Sequence, residues 1–176
     1  MVYDRPVLLT SHHVLEESTC RSPAQTAWIR RHGRQSAQQG TTRVLVVTAV
    51  GHDEVVAYYA WCMAQVHADT APSRLLKGAG RYPPPVALLA RLGVDTRHEG
   101  HGLGAALLTD ALARLMGLSE EIGCRGLMVH AESDEARRCY LHLVPEFESS
   151  PLDPLDLVLM MKDIRHSLRV SAGRTE

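Results

Sequence analysis

The chain predicts a mixed α/β fold, and two observations carry that reading. Short β-branched runs alternate with amphipathic stretches at helical spacing. In addition, an almost wholly apolar run, VALLARLGV at residues 86–94, ends in a glycine-rich loop that opens into an amphipathic helix. The 176 residues suit one domain spanning 1–176 with a full-sized core, the last ten or so reading as a tail.

The elements follow in order. Residues 7–9 predict a short first strand, and Ser11 predicts the cap of a brief helix running to Glu17. Ser22 followed by Pro23 opens a longer helix, because proline suits the first helical position; it carries Trp28 and Ile29 and runs to about Gln38, before Gly40. Residues 43–50 (RVLVVTAV) and 55–66 (VVAYYAWCMAQV) predict two strands joined across Gly51-His52-Asp53. Residues 67–85 read as a loop ending in three prolines, and 86–94 as a central strand covered on both faces. A helix over 102–122 presents Leu103, Leu107, Ala111, Leu115 and Leu118 to the core at steps of three and four. Residues 126–130 form a strand, Ser133 starts a helix to about Leu143 that Pro145 interrupts, and 155–161 form the last strand.

Composition excludes several classes. Apolar residues make up 45% and charged residues 22%, the balance of an ordinary soluble domain. No apolar run is long enough to span a bilayer, and MVYDRPVLLTSHH lacks the basic-then-apolar order of a signal peptide, so a cytoplasmic protein with no membrane partner is expected. Cys20, Cys62, Cys124 and Cys139 lie far apart with no C-x-x-C pair, which predicts four free thiols, buried or half-buried. His98, His101 and His130 share no ligand spacing, so no metal is expected. The net charge of −1 hides an asymmetry: residues 18–94 hold nine basic and three acidic side chains, whereas residues 95–176 sum to −5. The basic half suits an anionic partner, unless the charges intermix on the folded surface.

The junction LARLGVDTRHEGHGLGAALLTDAL carries the chemistry. Gly100, Gly102 and Gly104 sit where a buried strand gives way to a helix. First-turn N–H groups lack partners and carry partial positive charge, and glycines let an anion approach them, so the site suits a pyrophosphate. A phosphate loop of ATPases would need Lys-Ser or Lys-Thr where Ala105-Ala106 stands, and a dinucleotide fold would repeat βαβ units in the first half. Neither fits.

This stretch resembles motif A of the GNAT acetyltransferases, Q/R-x-x-G-x-G/A, with Glu99-Gly100-His101-Gly102-Leu103-Gly104 in its place. Glu99 departs from the pattern, and a carboxylate beside a pyrophosphate is expected to point away and contribute backbone only. A second stretch, Ser133-Asp134-Glu135-Ala136-Arg137-Arg138-Cys139-Tyr140, is similar to the family's N-x-x-A-x-x-x-Y pattern. On residue type alone Tyr140 reads as a core tyrosine; the resemblance places it as the general acid that protonates the leaving thiolate of CoA. Phe147 stands where the family has an aromatic residue, with two extra residues before it.

Over about residues 6–165 the order LLTSHH, SPAQTAWIRRHG, VVAYYA, ARLGVD and VHAESDEARRCY resembles the acetyltransferase toxins of bacterial toxin–antitoxin pairs. The resemblance implies the GNAT fold, a mixed central sheet flanked by helices, with acetyl-CoA as co-substrate. It implies cofactor contacts from Leu92, Val94, Glu99, Gly100, His101, Gly102, Leu103, Gly104, Ala105 and Ser133. The implied activity is acetylation of the α-amine of aminoacyl-tRNA, which blocks translation. The implied partners are a ribbon-helix-helix antitoxin, through which alone operator DNA is reached, and a second copy in a homodimer. Arg30, Arg31 and Arg34, at helical steps, with Lys77, Arg81 and Arg91, are candidates for tRNA phosphate contacts. An α-amine has a pKa near 7.7–8.0 and needs little help from a base, which fits a strand that offers no carboxylate before Asp95. Two other readings remain: a GNAT enzyme acting on a small amine or a protein N-terminus, and a non-catalytic acetyl-CoA-binding partner in an antitoxin repressor complex.

Overall fold

A computed structural model describes residues 1–172, with side chains described through Leu168. In chain order the elements are β1 (Val7–Leu8), α1 (Pro23–Gln38), β2 (Arg43–Thr48), β3 (Val55–Gln65), α2 (Ser73–Leu76), β4 (Pro85–Val94), a 3₁₀ turn (Thr96–His98), α3 (Leu103–Leu118), β5 (Gly126–His130), α4 (Asp134–Leu143), β6 (Glu148–Ser149), β7 (Asp156–Met160) and α5 (Met161–Ala172). Contacts divide the chain into two units, Met1–Cys62 with Ala90–Asp110, and Met63–Leu89 with the chain from Ala111 onward. Among the described residues no helix is long and apolar enough to cross a membrane.

In the first unit β1, β2 and β3 pair antiparallel, with Leu8 opposite Leu45 and Leu45 opposite Tyr59, and the end of β4 follows β3. The helix α1 starts as the sequence predicts: Pro23 opens it and the Ser22 hydroxyl accepts the Gln25 N–H. Its Ile29 is fully buried in a core with Leu15, Val44, Val46, Val55 and Tyr58. The brief helix expected from Ser11 to Glu17 does not form; residues 11–17 are turns on either side of an isolated bridge from Val14 to Glu54. Their backbone groups bond outside the segment instead. Val14 N–H donates to Asp53 O, Val55 N–H donates to Val14 O, and the Arg34 guanidinium holds the carbonyls of Thr10 and His13. These tertiary partners, with Leu15 buried between them, outweigh the capping signal.

In the second unit Ala87–Leu89 of β4 runs parallel to Leu127–Val129 of β5, while β7 pairs antiparallel with β5 and with β6. The sheet is therefore mixed, as the family resemblance implies. Its core gathers Val66, Leu75, Val86, Val158 and Met160. The stretch expected to be a loop holds α2, whose Leu75 is buried, and Arg74 beside it pairs with Glu148 and Asp163. The expected tail is helical through Ala172 as α5, and the remainder of that expectation lies outside the described residues. The short edge strand β6 was not legible from two residues.

The helix α3 buries Leu103, Leu107, Ala111 and Leu115 as expected, and also Leu108 and Leu112. Leu118 corrects the reading: it has the stripe's angle but is the helix's last residue, and it stays 46% exposed. The four cysteines are free; Cys20 is buried and Cys62 and Cys124 are half-buried, but Cys139 is exposed rather than covered.

Candidate active site

The strand β4 delivers its residues in alternation. Along its last five positions Gly93 is buried, whereas Ala90 is exposed and Leu92 and Val94 are half-buried on the other face. The expectation of a strand covered on both faces thus fails at this end, which leaves an apolar strip open where the resemblance places the cofactor's arm.

Beyond Val94 the chain is pinned by Asp95, whose side chain is fully buried. Its carboxylate accepts the Thr19 N–H at 2.8 Å, the Arg97 N–H at 2.8 Å and the Arg97 Nε–H at 3.0 Å. Arg97 also pairs with Glu54 and donates to Glu17 O at 3.3 Å. Burial pushes the Asp95 carboxyl up, but the Arg97 and Thr19 hydrogen bonds and the Arg97 charge outweigh it and hold it at about 2. A carboxyl lowered by folding stabilises the protein above its ordinary range and loses that contribution as pH falls through about 4 to about 2, a change of about 2 kcal/mol. Urea unfolding across this window should show that loss in the wild type and not in Asp95→Asn; equal slopes in both would refute the assignment.

The glycine loop follows. Gly100 and Gly102 have φ of 77° and 76°, a region that other residues enter only with strain, and a Cβ at either would meet nothing within 4 Å. The space over both is open. Ala106 N–H to Gly102 O, at 3.0 Å, closes the first turn of α3, so the N–H groups of Leu103, Gly104 and Ala105 have no acceptor within the helix. Gly104 adds room, since a Cβ there would touch only Val94 Cγ2 at 4.0 Å. These features fit a pyrophosphate. Glu99 pairs with Arg21 at 2.6 Å, which neutralises the carboxylate that breaks the motif, while its carbonyl contacts His101 Nδ1 at 2.9 Å. Neither Arg21 nor this pairing was legible in the sequence, because 78 residues separate the partners.

In the second unit the Ser133 hydroxyl accepts the Ala136 N–H at 3.2 Å and so caps α4. Tyr140 is half-buried about two turns on, edge-on to Phe147 with ring centroids 6.0 Å apart. Burial pushes its phenol up to about 12, and Cys139 and Glu132 act in the same direction. The phenol therefore stays protonated at neutral pH. Arg137 donates to Pro154 O at 2.8 Å and to Ser149 Oγ at 3.3 Å, tying α4 to the turn before β7.

Sequence reasoning missed one further group. At the end of β5, His130 lies opposite Asp156 of β7, with Nδ1 2.6 Å from Asp156 Oδ1, and Asp153 brings a carboxylate oxygen within 4.8 Å of the same atoms. No spacing pattern reveals residues 26 apart. Asp153 itself accepts the Leu155 N–H; we assign no metal there.

The candidate tRNA-binding cations divide. On α1, Arg30 donates to Ser18 O and Thr19 Oγ1 and Arg34 holds the two carbonyls described above, so both spend donors on their own unit. Arg31 is exposed and lines, with Arg30, Thr26 and Ala27, an open groove of about 470 Å³. Arg91 lies over the Trp28 ring at 5.8 Å, and Trp28 stacks on Tyr58. Lys77 and Arg81 are exposed in the second unit.

Known proteins resemble this chain over almost its whole length. The chain is 38% identical over 164 residues to a "tRNA-acetylating toxin" of Mycobacterium tuberculosis (strain ATCC 25618 / H37Rv), covering 93% of this chain and 95% of that protein. The structure of AtaT complexed with acetyl-methionyl-tRNAfMet superposes with a TM-score of 0.83 at 22% identity, covering 93% and 98% of the two chains. A mutant AtaT toxin bound to the C-terminus of the antitoxin AtaR and acetyl-CoA gives 0.78 at 20% identity, covering 93% and 96%. With residues 11–143 matching the acetyltransferase (GNAT) family, and a glycine loop at the head of α3 as the family's motif requires, the chain belongs to the GNAT acetyltransferases.

Proposed function

We propose that the protein transfers the acetyl group of acetyl-CoA to the α-amine of an amino acid esterified to tRNA, and thereby blocks translation. The observation that carries the reading is the near full-length likeness to a tRNA-acetylating toxin, in a chain that keeps an open glycine loop and a protonated tyrosine. The N–H groups at the head of α3 hold the pyrophosphate, with Gly100, Gly102 and Gly104 allowing close approach and Glu99, His101, Leu103 and Ala105 contributing backbone. Leu92 and Val94 line the pantetheine arm, and Ser133 sets the helix that carries Tyr140.

The neutral amine attacks the thioester carbonyl, a C–N bond forms and the C–S bond breaks. Tyr140 hydrogen-bonds the departing sulfur and gives it a proton; the proton lost by the new amide nitrogen restores the phenol through solvent. Arg31, Lys77, Arg81 and Arg91 contact tRNA phosphates, with Arg30 and Arg34 adding charge to the field. An antitoxin with a ribbon-helix-helix domain covers the toxin and carries it to operator DNA, and the working form is a cytoplasmic homodimer.

The test is transfer of labelled acetyl from acetyl-CoA to a pool of charged tRNAs. Label that stays with the aminoacyl group after the ester is hydrolysed supports the reading. Label on no charged tRNA, from protein that binds acetyl-CoA, overturns it in favour of small amines or protein N-termini as acceptors.

A further inference from the structure

We infer that His130, oriented by Asp156, is the general base that removes the proton from the acceptor's α-ammonium group. The inference rests on the acetyl-transfer reading above and adds to it the group that makes the nucleophile.

Geometry carries the argument. His130 is the last residue of β5 and Asp156 the first of β7, directly opposite each other in the antiparallel ladder, so two paired strands fix their separation. Asp156 is further held by its own backbone, its N–H donating to Asp153 O at 3.1 Å and its carbonyl accepting the Ser150 N–H at 2.7 Å. An ionised carboxylate only accepts, so the 2.6 Å contact makes Nδ1 the protonated nitrogen of the neutral ring and leaves the lone pair on Nε2. The His130 side chain is 59% exposed, whereas Asp156 is 18% exposed. The dyad thus presents one basic nitrogen to solvent and keeps its orienting acid behind it, the arrangement by which a carboxylate holds an imidazole for proton abstraction. Asp153 and Asp156 each place a carboxylate oxygen within 4.8 Å of a ring nitrogen.

Its place in the second unit fits the role. Three residues beyond His130 the chain enters α4 at Ser133, and α4 carries Tyr140. Arg137 binds that helix to the turn leading into Asp156. Acid and base therefore stand on the same short segment, 130–140. In the reaction His130 Nε2 takes one proton from the ammonium group, and the freed amine attacks. Tyr140 protonates the thiolate, and the second nitrogen proton returns the phenol to its resting state. His130 then releases its proton to water, so one proton leaves per acetyl group transferred.

The experiment measures single-turnover acetyl transfer from about pH 6 to about pH 8.5 for wild type, His130→Ala and Asp156→Asn. Two acceptors are used, a pool of charged tRNAs and an amino-acid amide at high concentration as a minimal α-amine. Acetyl-CoA binding and melting temperature report that each variant is folded. At about pH 6 His130→Ala should be slower by about a hundredfold and at about pH 7 by about tenfold, its rate climbing about tenfold per pH unit as the amine ionises unaided and levelling off near pH 8. Added imidazole should restore part of the loss, which a structural role would not allow, and Asp156→Asn should fall between the two. Wild-type transfer that is unchanged in rate and pH profile by His130→Ala overturns the dyad alone. Transfer by wild type to the amide but to no charged tRNA overturns the tRNA reading alone, and transfer to neither overturns both.

Discussion

Tyr140→Phe is expected to keep acetyl-CoA binding and to lower acetyl transfer between about a hundredfold and ten-thousandfold, the range associated with loss of a positioned acid. The change removes one oxygen and leaves the ring against Phe147, so folding and the cofactor loop should be untouched. The phenol at about 12 is a weaker acid than a thiol near 8.5, so full transfer to a free thiolate runs uphill. Its contribution is therefore greatest as a hydrogen bond to the charge that develops on sulfur while the C–S bond breaks, with the proton moving late. The effect should fall on kcat with little change in acetyl-CoA affinity, since the ground-state thioester carries no such charge. A thioester with a better leaving thiol should recover part of the rate. Activity of Tyr140→Phe within about twofold of wild type would remove Tyr140 from the mechanism.

Gly126→Ala should be the most damaging single methyl group in the second unit. Gly126 pairs with Met160, and a Cβ there would collide with the Leu159 backbone carbonyl oxygen while standing 3.1 Å from the Leu159 carbonyl carbon and 3.3 Å from Met160 Cα. The obstacle is backbone on a paired strand, so no rotamer change relieves it; β5 and β7 must separate at this end. A cost of about 3 kcal/mol or more is expected, which for a chain of this size lowers the melting temperature by about 10 °C. Acetyl-CoA binding should survive at low temperature, because the glycine loop belongs to the first unit. A melting temperature within about 2 °C of wild type would mean that the strands part at this point without cost.

Several features of the chain are local and so are readable from sequence. Ser22-Pro23 opens α1 through its own side chain and ring, Ser133 caps α4, and Gly100 and Gly102 supply backbone angles that other residues reach only with strain. β2, β3 and β5 appear as runs of apolar and β-branched residues because their burial repeats every one or two positions. These patterns placed the glycine loop at the end of a strand and Tyr140 on the helix that follows the next one, which is most of the candidate site.

Other features depend on groups that the chain brings together from far away. The capping signal at Ser11 is sound locally, yet Asp53, Val55 and Arg34 take the backbone groups that a helix would have used. Glu99 looks hostile to phosphate until Arg21 is found against it, and Arg30 and Arg34 look free until their acceptors are found on the turns before α1. The His130–Asp156 dyad exists only because β5 and β7 pair in one register; a one-residue slip would turn the two side chains to opposite faces. Sequence alone determined the fold class and the features that follow from a residue's own backbone, the glycine conformations and the helix caps, and its resemblance to a family named Tyr140 as the candidate acid. Tertiary structure decided which charges are compensated and which carboxylate meets the His130 ring, since a charge's effect depends on its partners in space, and spacing along the chain does not encode them.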